Sequence, residues 1–223
     1  MGLIISSAIV LLWLVHLIYT LLYINTYAVY SVVMHMFIQT YLFTGLFITG
    51  HDAMHYSITK NEKLNKFFGY LTAFLFAGMS FKKLSKNHQL HHRYPATDKD
   101  PDFSKNQNFF VWISTFLFKY ITVSQIIIMA VVFNVFKLFS NELNIFLFWL
   151  IPAILSTMQL FYFGTYRPHK LPHNTDMLPH NARTQNKNHL WAMLSCYFFG
   201  YHYEHHQDSS ISWWQLYKTK LID

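Results

Sequence analysis

Long uninterrupted apolar runs constrain the fold of this chain more than any other feature. Residues 3 to 23, 28 to 49 and 143 to 166 contain no Asp, Glu, Lys or Arg. Each run is long enough to cross the roughly 30 Å hydrocarbon layer of a bilayer as a helix that rises about 1.5 Å per residue. Charged residues make up only 12% of the chain, against about a quarter in soluble domains. The sequence therefore predicts an all-α integral membrane protein.

Other apolar stretches are shorter. Residues 67 to 81 would reach only about 22 Å as a helix, so we expect a re-entrant or interfacial piece there. After an interfacial lead-in from Phe109 to Phe118, residues 120 to 138 supply the third of four predicted transmembrane helices. Pro152 should kink the fourth helix, because proline removes one backbone donor and clashes with the preceding turn. We expect residues 1 to 223 to form a single membrane-bound domain.

The basic residues are unevenly distributed along the chain. Residues 1 to 50 contain no Lys or Arg, whereas residues 60 to 105 and 167 to 220 contain most of them. The positive-inside rule places such segments in the cytoplasm, and four crossings put both of them, with the two termini, on one face. We therefore expect an integral membrane protein with a cytoplasmic lobe. Nucleic acid is not an expected partner, since no recognition motif accompanies the basic residues.

Histidines are concentrated in three short clusters. On a helix, positions i, i+3 and i+4 share a face, so each cluster directs two or three imidazoles toward one point. Eight imidazoles exceed the ligand set of one tetrahedral zinc ion and suit two metal ions with open positions. Imidazole binds iron, zinc, copper and nickel, so the spacing leaves the metal open. Of the 14 histidines, the clustered ones are His51, His55, His88, His91, His92, His202, His205 and His206.

Further histidines have weaker positional arguments. His169 follows the fourth apolar run at the same membrane level as the clusters, so it can complete the ligand set. His180 is the best candidate among the loop histidines. His16 and His35 lie within predicted spans, where a polar ring usually packs against a neighbouring helix, although such a pair could also hold a haem.

Acidic residues near the clusters are candidates for orienting the imidazoles. Asp52 and Glu204 lie inside clusters, where a carboxylate can bind the second nitrogen of a ligating ring. A plain surface charge or a helix cap is the alternative role for each. The run Asp98 to Asp102 can supply a further acid, although such runs more often form turns and caps.

The histidine clusters resemble the boxes of the membrane fatty-acid desaturase and hydroxylase superfamily. Within that superfamily, the order and spacing of several strings over residues 40 to 215 are similar to those of the bacterial β-carotene ketolases. The strings are His51-Asp-Ala-Met-His55, His91-His-Arg-Tyr-Pro-Ala-Thr-Asp-Lys-Asp-Pro-Asp-Phe103, Leu160-Phe-Tyr-Phe-Gly-Thr-Tyr-Arg-Pro-His169, His180-Asn-Ala-Arg183, Tyr201-His-Tyr-Glu-His-His206 and Trp213-Trp214.

This resemblance implies two iron ions on the cytoplasmic face of a four-span bundle. It also implies two dioxygen-dependent hydroxylations at carbon 4 of a β-ionone ring, followed by loss of water to leave the ketone. The substrate would be a carotenoid that enters from the lipid. Electrons would come from outside, because the chain has no Gly-rich nucleotide fingerprint and only one cysteine. A small acidic ferredoxin docking on the basic face is the expected donor.

Two kinds of alternative function stay open on the sequence. A carotenoid ring hydroxylase, a fatty-acid desaturase or an alkane hydroxylase would share the metal centre and differ in the pocket. A non-enzymatic metal or haem membrane protein, such as a transporter, would place its ligands near the middle of the membrane. The clusters of this chain stand instead at the ends of apolar segments.

Overall fold

The structure is a computed structural model that describes residues 1–25 and 27–220, and these residues form an all-helical bundle without a β-strand. An isolated antiparallel bridge joins Thr184 to Tyr201. Short 3₁₀ turns cover Thr175–Met177 and Trp213–Lys218. The helices are α1 Gly2–Tyr23, α2 Val29–Met54, α3 Glu62–Ala77, α4 Phe81–Arg93, α5 Phe109–Tyr120, α6 Val123–Phe136, α7 Glu142–His169, α8 His189–Cys196 and α9 His202–Gln207.

Three of the described helices are long and apolar enough to cross a membrane, namely α1, α2 and α7. They cover the first, second and fourth predicted spans. The number rises to four if the bent pair α5 and α6 is counted as one broken span. The prediction of an all-helical chain with several candidate membrane helices is therefore confirmed.

The third predicted span differs from a straight crossing helix. Helices α5 and α6 meet at an angle of 89°. The side chain of Thr122 accepts a hydrogen bond from the backbone N–H of Gln125, and this cap starts a new helix two residues after Tyr120 ends the previous one. Helix α6 has 14 residues, which correspond to only about 21 Å. The hydropathy of the sequence does not reveal such a break, because Thr122 is a small neutral residue within an apolar stretch.

Helices α3 and α4 form a hairpin that begins and ends beside the histidine clusters. The side chain of Asn61 caps the first turn of α3, and Gly78 ends that helix with a left-handed backbone at φ 62°. A side chain is disfavoured at that φ, which explains the glycine. Ser80 then caps α4. The chain leaves His55 and returns to His88 in the same group of imidazoles, so this segment does not carry it to the opposite end of the bundle.

Helix α7 contains two wide turns. Residues Phe146–Leu150 and Tyr162–Tyr166 have π-helical hydrogen bonding, and Pro152 is the second residue after the first of them. A π turn accommodates the missing proline donor and the ring clash. The helix therefore continues past the predicted kink at Pro152 to His169. The second wide turn ends three residues before His169.

Polar contacts join the helix ends that lie opposite the histidines. The Asn144 amide donates to the carbonyl oxygens of Leu21 and Ile24, at 3.3 and 3.0 Å, and the Tyr27 hydroxyl donates to Asn144 at 2.9 Å. Asn144 is buried. These bonds hold the α1–α2 connection against the start of α7 and thereby fix the bundle at the end remote from the clusters.

Candidate metal centre

All nine histidines expected as ligands converge in two adjacent groups. The first group brings together rings from α2, α4 and α9, and the second adds the end of α7. In each group the candidate ligand nitrogens lie within 4.8 Å of one another. The first group contains His51, His55, His88, His92 and His205, and the second contains His91, His169, His202 and His206.

Two helices contribute to both groups. On α4, His88 and His92 are one turn apart and face the first group, while His91 faces the second. On α9, His205 belongs to the first group, whereas His202 and His206 belong to the second. The rings of His92 and His206 stack across the boundary with their centroids 4.2 Å apart. The two groups are therefore interleaved halves of one polar centre.

The nitrogen-to-nitrogen distances fit cation binding. The Nε2 atoms of His55 and His88 lie 2.7 Å apart, and the Nε2 atom of His92 lies 3.1 and 3.0 Å from those of His88 and His205. In the second group, Nε2 of His206 lies 3.1 Å from those of both His91 and His202. With metal–nitrogen bonds of about 2.1 Å, ligands at right angles are about 3.0 Å apart. The separations in both groups are close to this value.

Buried nitrogens without partners support the same conclusion. The Nε2 atoms of His51 and His169 are buried and have no hydrogen-bond partner. An unpaired buried polar atom costs about 1–3 kcal/mol, so its presence in a protein interior calls for a ligand. Because neutral imidazole nitrogens are good donors to a divalent transition metal, the residues of this centre fit a pair of metal ions.

Two rings of the second group are oriented through their other nitrogen. The His91 Nδ1–H donates to the Asp100 carboxylate at 2.9 Å, and Asp100 also accepts the backbone N–H groups of Ala96 and Asp102, each at 2.8 Å. The His169 Nδ1–H donates to the carbonyl oxygen of Asn181 at 2.9 Å. These bonds select the tautomer that leaves Nε2 free to bind a metal.

The environment keeps most of the clustered rings neutral. Burial, reinforced by the neighbouring imidazoles, lowers the pKa of His88, His202 and His205 well below its usual range and that of His55 to about 4. Burial also opposes the charged form of His91, but the charge and hydrogen bond of Asp100 outweigh it and raise this pKa. A neutral imidazole is the form that binds a metal, so the group needs no deprotonation at neutral pH.

An apolar cavity of about 120 Å³ opens beside the centre. We call it the near cavity. Most of its walls are aromatic and aliphatic side chains from α2, α3, α5 and α7, including Phe47, Phe76 and Leu160. His51, His88, His91 and His202 form its polar end. An apolar molecule in this cavity would lie directly against both histidine groups.

The sequence profile of the family described as Fatty acid desaturase matches residues 25–142 and 116–222. The chain belongs to the fatty acid desaturase family. It is 34% identical over 223 residues to the β-carotene ketolase of Paracoccus sp. (strain N81106 / MBIC 01143), covering 98% of this chain and 92% of that protein. It is 40% identical over 188 residues to the zeaxanthin 4-ketolase of Chlamydomonas reinhardtii, covering 82% of this chain and 42% of that protein. No solved structure matches the chain.

The acidic residues of this desaturase-family protein have roles that the sequence did not separate. Asp52 does not bind the neighbouring imidazole, since its carboxylate lies 3.9 Å from His51 Nδ1 and instead accepts the backbone N–H of Trp213 at 3.2 Å. Glu204 has a buried oxygen without a partner. Asp98 forms an exposed ion pair with Lys105. The carboxylate that orients a clustered ring is that of Asp100, within the run predicted to supply either such an acid or turns and caps, and Asp100 also accepts backbone N–H groups of its own turn.

The remaining histidines lie outside the two groups. His16 and His35 contact each other at 3.1 Å between ring nitrogens, and His16 also contacts the Gln39 side chain, as expected for polar rings packed between helices. The ring centroid of His180 lies 5.8 Å from that of His206, but its nitrogens belong to neither group.

The sequence did not predict one hydrogen bond in the wall of the near cavity. The Tyr120 hydroxyl, from the last residue of α5, donates to the Asp102 carboxylate, and both residues line the near cavity. Burial is the main cause that raises the pKa of Asp102 to about 6. The two residues are 18 positions apart and share no helical periodicity, so no sequence pattern connects them.

Proposed function

We propose that this family member is a β-carotene 4-ketolase that converts a β-ionone ring methylene into a ketone. The support is the likeness to β-carotene ketolases over nearly the whole chain, together with nine converging histidines beside an apolar cavity. The second ketolase relative, from Paracoccus sp. (strain PC1), is 35% identical over 96% of this chain. The chain is thus an oxidoreductase whose substrate is expected in the lipid phase.

The proposed ligands are the nine histidines of the two groups, with five for one iron ion and four for the other. Bound iron would supply the activation of dioxygen, which an organic side chain cannot provide. Asp100 and the carbonyl of Asn181 hold His91 and His169 in the tautomer that presents Nε2. We assign no acid–base catalyst in addition to these ligands.

The protein's part in the reaction is positioning. The near cavity places an apolar ring against the histidine end and has few polar groups elsewhere, so it excludes bulk water from the reacting carbon. Each hydroxylation consumes one dioxygen, two electrons and two protons, and releases one water. After two rounds at the same carbon, the geminal diol loses water to give the ketone. Holding one methylene at one position therefore suffices for both rounds.

The electrons come from a separate donor in this proposal. A small acidic ferredoxin or similar reductase would dock on the face that carries the histidines, where the basic segments of residues 60 to 105 and 167 to 220 lie in the sequence. The formal net charge of +7 at pH 7 favours an acidic partner. The electron path would then be short, because both histidine groups are at that end of the bundle.

We also propose the topology. The bent α5–α6 pair counts as the third crossing, with α5 and the α3–α4 hairpin at or near the interface. Residues 1 to 223 then form a single domain in the bacterial inner membrane, with both termini and the histidine lobe in the cytoplasm. The distribution of Lys and Arg supports this orientation.

Pigment analysis tests the proposed activity. The chain is expressed in bacterial cells that make β-carotene, and the pigments are separated by chromatography. We expect β-carotene to be replaced by its 4-keto products, echinenone and canthaxanthin, and we expect the His51→Ala variant to leave it unchanged. Unaltered β-carotene in cells that contain iron-loaded wild-type protein would refute the proposal. Hydroxylated rings without a ketone would indicate a ring hydroxylase instead.

A further inference from the structure

A second cavity lies farther from the histidines than the near cavity. It has a volume of about 290 Å³ and lies between α1, the end of α3, α6 and the first part of α7. We call it the far cavity. Its walls carry no charged side chain. The wall includes Ile18, Leu21, Gly78, Ile128, Met129 and Trp149.

The two cavities meet at the tip of the α3–α4 hairpin. Ala77 and Met79 line the near cavity, whereas Gly78 between them lines the far cavity. On α6, Gln125 lines the near cavity and Ile128, one turn later, lines the far one. A Cβ atom at Gly78 would lie 2.9 Å from Ile128 Cγ2, so α6 packs tightly against the hairpin tip. The two cavities are therefore separated by one residue of the hairpin tip, Gly78, and by one turn of α6.

Together the cavities follow the long axis of the bundle. Trp149 in the far cavity and Thr165 in the near cavity are 16 residues apart on α7, which corresponds to about 24 Å of helix. The far cavity extends to Leu21, whose carbonyl oxygen accepts a bond from Asn144 at the end of the bundle remote from the histidines. The combined path thus covers most of a hydrocarbon layer of about 30 Å.

A long apolar substrate with two equivalent ends needs such a path. β-Carotene carries one ring at each end of a stiff polyene, and the near cavity is below the roughly 300–1,000 Å³ of pockets that enclose even drug-sized ligands. When one ring is at the metals, the polyene and second ring must lie elsewhere. The far cavity suits the polyene and the second ring. Its walls are apolar, and it continues the near cavity in the direction away from the metals.

We propose that the far cavity is the binding site for the distal ring and the adjoining polyene, so that the substrate spans the bundle while its other ring is oxidised. This inference rests on the proposed ketolase function. It assigns substrate affinity to residues as distant as Trp149, which lies about 30 Å along α7 from the proposed ligand His169. It also requires the polyene to pass beside the Gly78–Ile128 contact, which separates the two cavities.

Filling the far cavity tests the proposal. Ile18→Trp on α1 and Met129→Trp on α6 each add bulk to its wall from a different helix. The matched controls are Val15→Trp and Ile127→Trp on the same helices, because Val15 is 55% and Ile127 58% exposed and neither lines the cavity. The proteins are reconstituted with iron in lipid nanodiscs. Iron content, β-carotene dissociation constant and KM are then measured.

We expect both filling variants to retain their iron and to bind β-carotene at least about tenfold more weakly than the controls, with KM rising more than kcat falls. Filling variants that bind β-carotene as well as the controls would overturn the proposal. Should the Trp variants lose iron, Ile18→Phe and Met129→Phe are measured under the same criterion. Binding is measured without turnover, so a wild-type protein that binds β-carotene but fails to oxidise it refutes the ketolase function and not this site.

Discussion

The Asp100 carboxylate offers the sharpest test of how the second histidine group is organised. Asp100 is 4% exposed and accepts three hydrogen bonds, one through Oδ1 and two through Oδ2, of which the one from His91 fixes the ring. Asp100→Asn keeps the shape but replaces one acceptor oxygen with a donor NH₂ group. That group would face either the Asp102 backbone N–H or the two donors at Oδ2.

The expected effect follows from this mismatch. Loss of the carboxylate behind a ligating histidine typically lowers metal affinity or activity about 10- to 100-fold, which corresponds to about 1.4–2.8 kcal/mol. We therefore expect Asp100→Asn to weaken iron binding by this factor and to reduce ketone formation in parallel. Iron is measured by elemental analysis after dialysis against a graded series of chelator concentrations, and ketone formation by pigment chromatography.

The control lies in the same loop. Asp98→Asn removes an exposed carboxylate that pairs only with Lys105, and an exposed pair contributes about 0–1 kcal/mol. It should leave iron affinity unchanged. An Asp100→Asn protein that holds iron as tightly as Asp98→Asn would refute the role assigned to Asp100, even if its activity fell.

Further tests address the histidines and the packing around them. His202→Ala removes one ligand of the four-histidine group, so iron content should fall by about half and activity by on the order of 100-fold or more; full iron content would contradict the assignment. The folded pKa of His55 is about 4, below the unfolded value of 6.5, so below pH 6.5 the unfolded chain binds protons that the folded chain does not. The thermal midpoint of the metal-free protein should therefore fall as the pH decreases from 7 toward 4, and a midpoint independent of pH would contradict this account. At Gly164, a Cβ atom would overlap the Phe199 ring, so Gly164→Val should cost about 1–3 kcal/mol and lower the thermal midpoint. An unchanged midpoint would mean that the ring has room to move and would contradict this expectation.

The convergence of the proposed ligands was predictable from the sequence because each cluster is local. Within a cluster, helical spacing alone brings the rings together, as at His88 and His92. His169 was accessible for another reason, since it follows a long apolar run at the membrane level of the other clusters. The long candidate membrane helices α1, α2 and α7 were also predictable, because continuous apolar length is a direct property of the sequence.

The residues that support the ligands were harder to predict. Asp52 and Asp100 are both acidic and close in sequence to ligating rings, and only the turn between Ala96 and Asp102 directs Asp100 at His91. The bend between α5 and α6 depends on one capping side chain. The far cavity arises where four elements fail to fill space, which no local pattern describes.

The interleaving of the two histidine groups also bears on how two metal ions would be spaced. Because α4 and α9 each carry proposed ligands for both groups, the separation between two bound ions would depend on the geometry of single helical turns, where neighbouring residues are held by covalent bonds and backbone hydrogen bonds. Helices α2 and α7 differ from these two, because α2 supplies rings to the first group alone and α7 to the second alone. A shift of α2 or α7 that admits a long rigid guest would therefore act on one ion at a time, while α4 and α9 would resist separation of the pair.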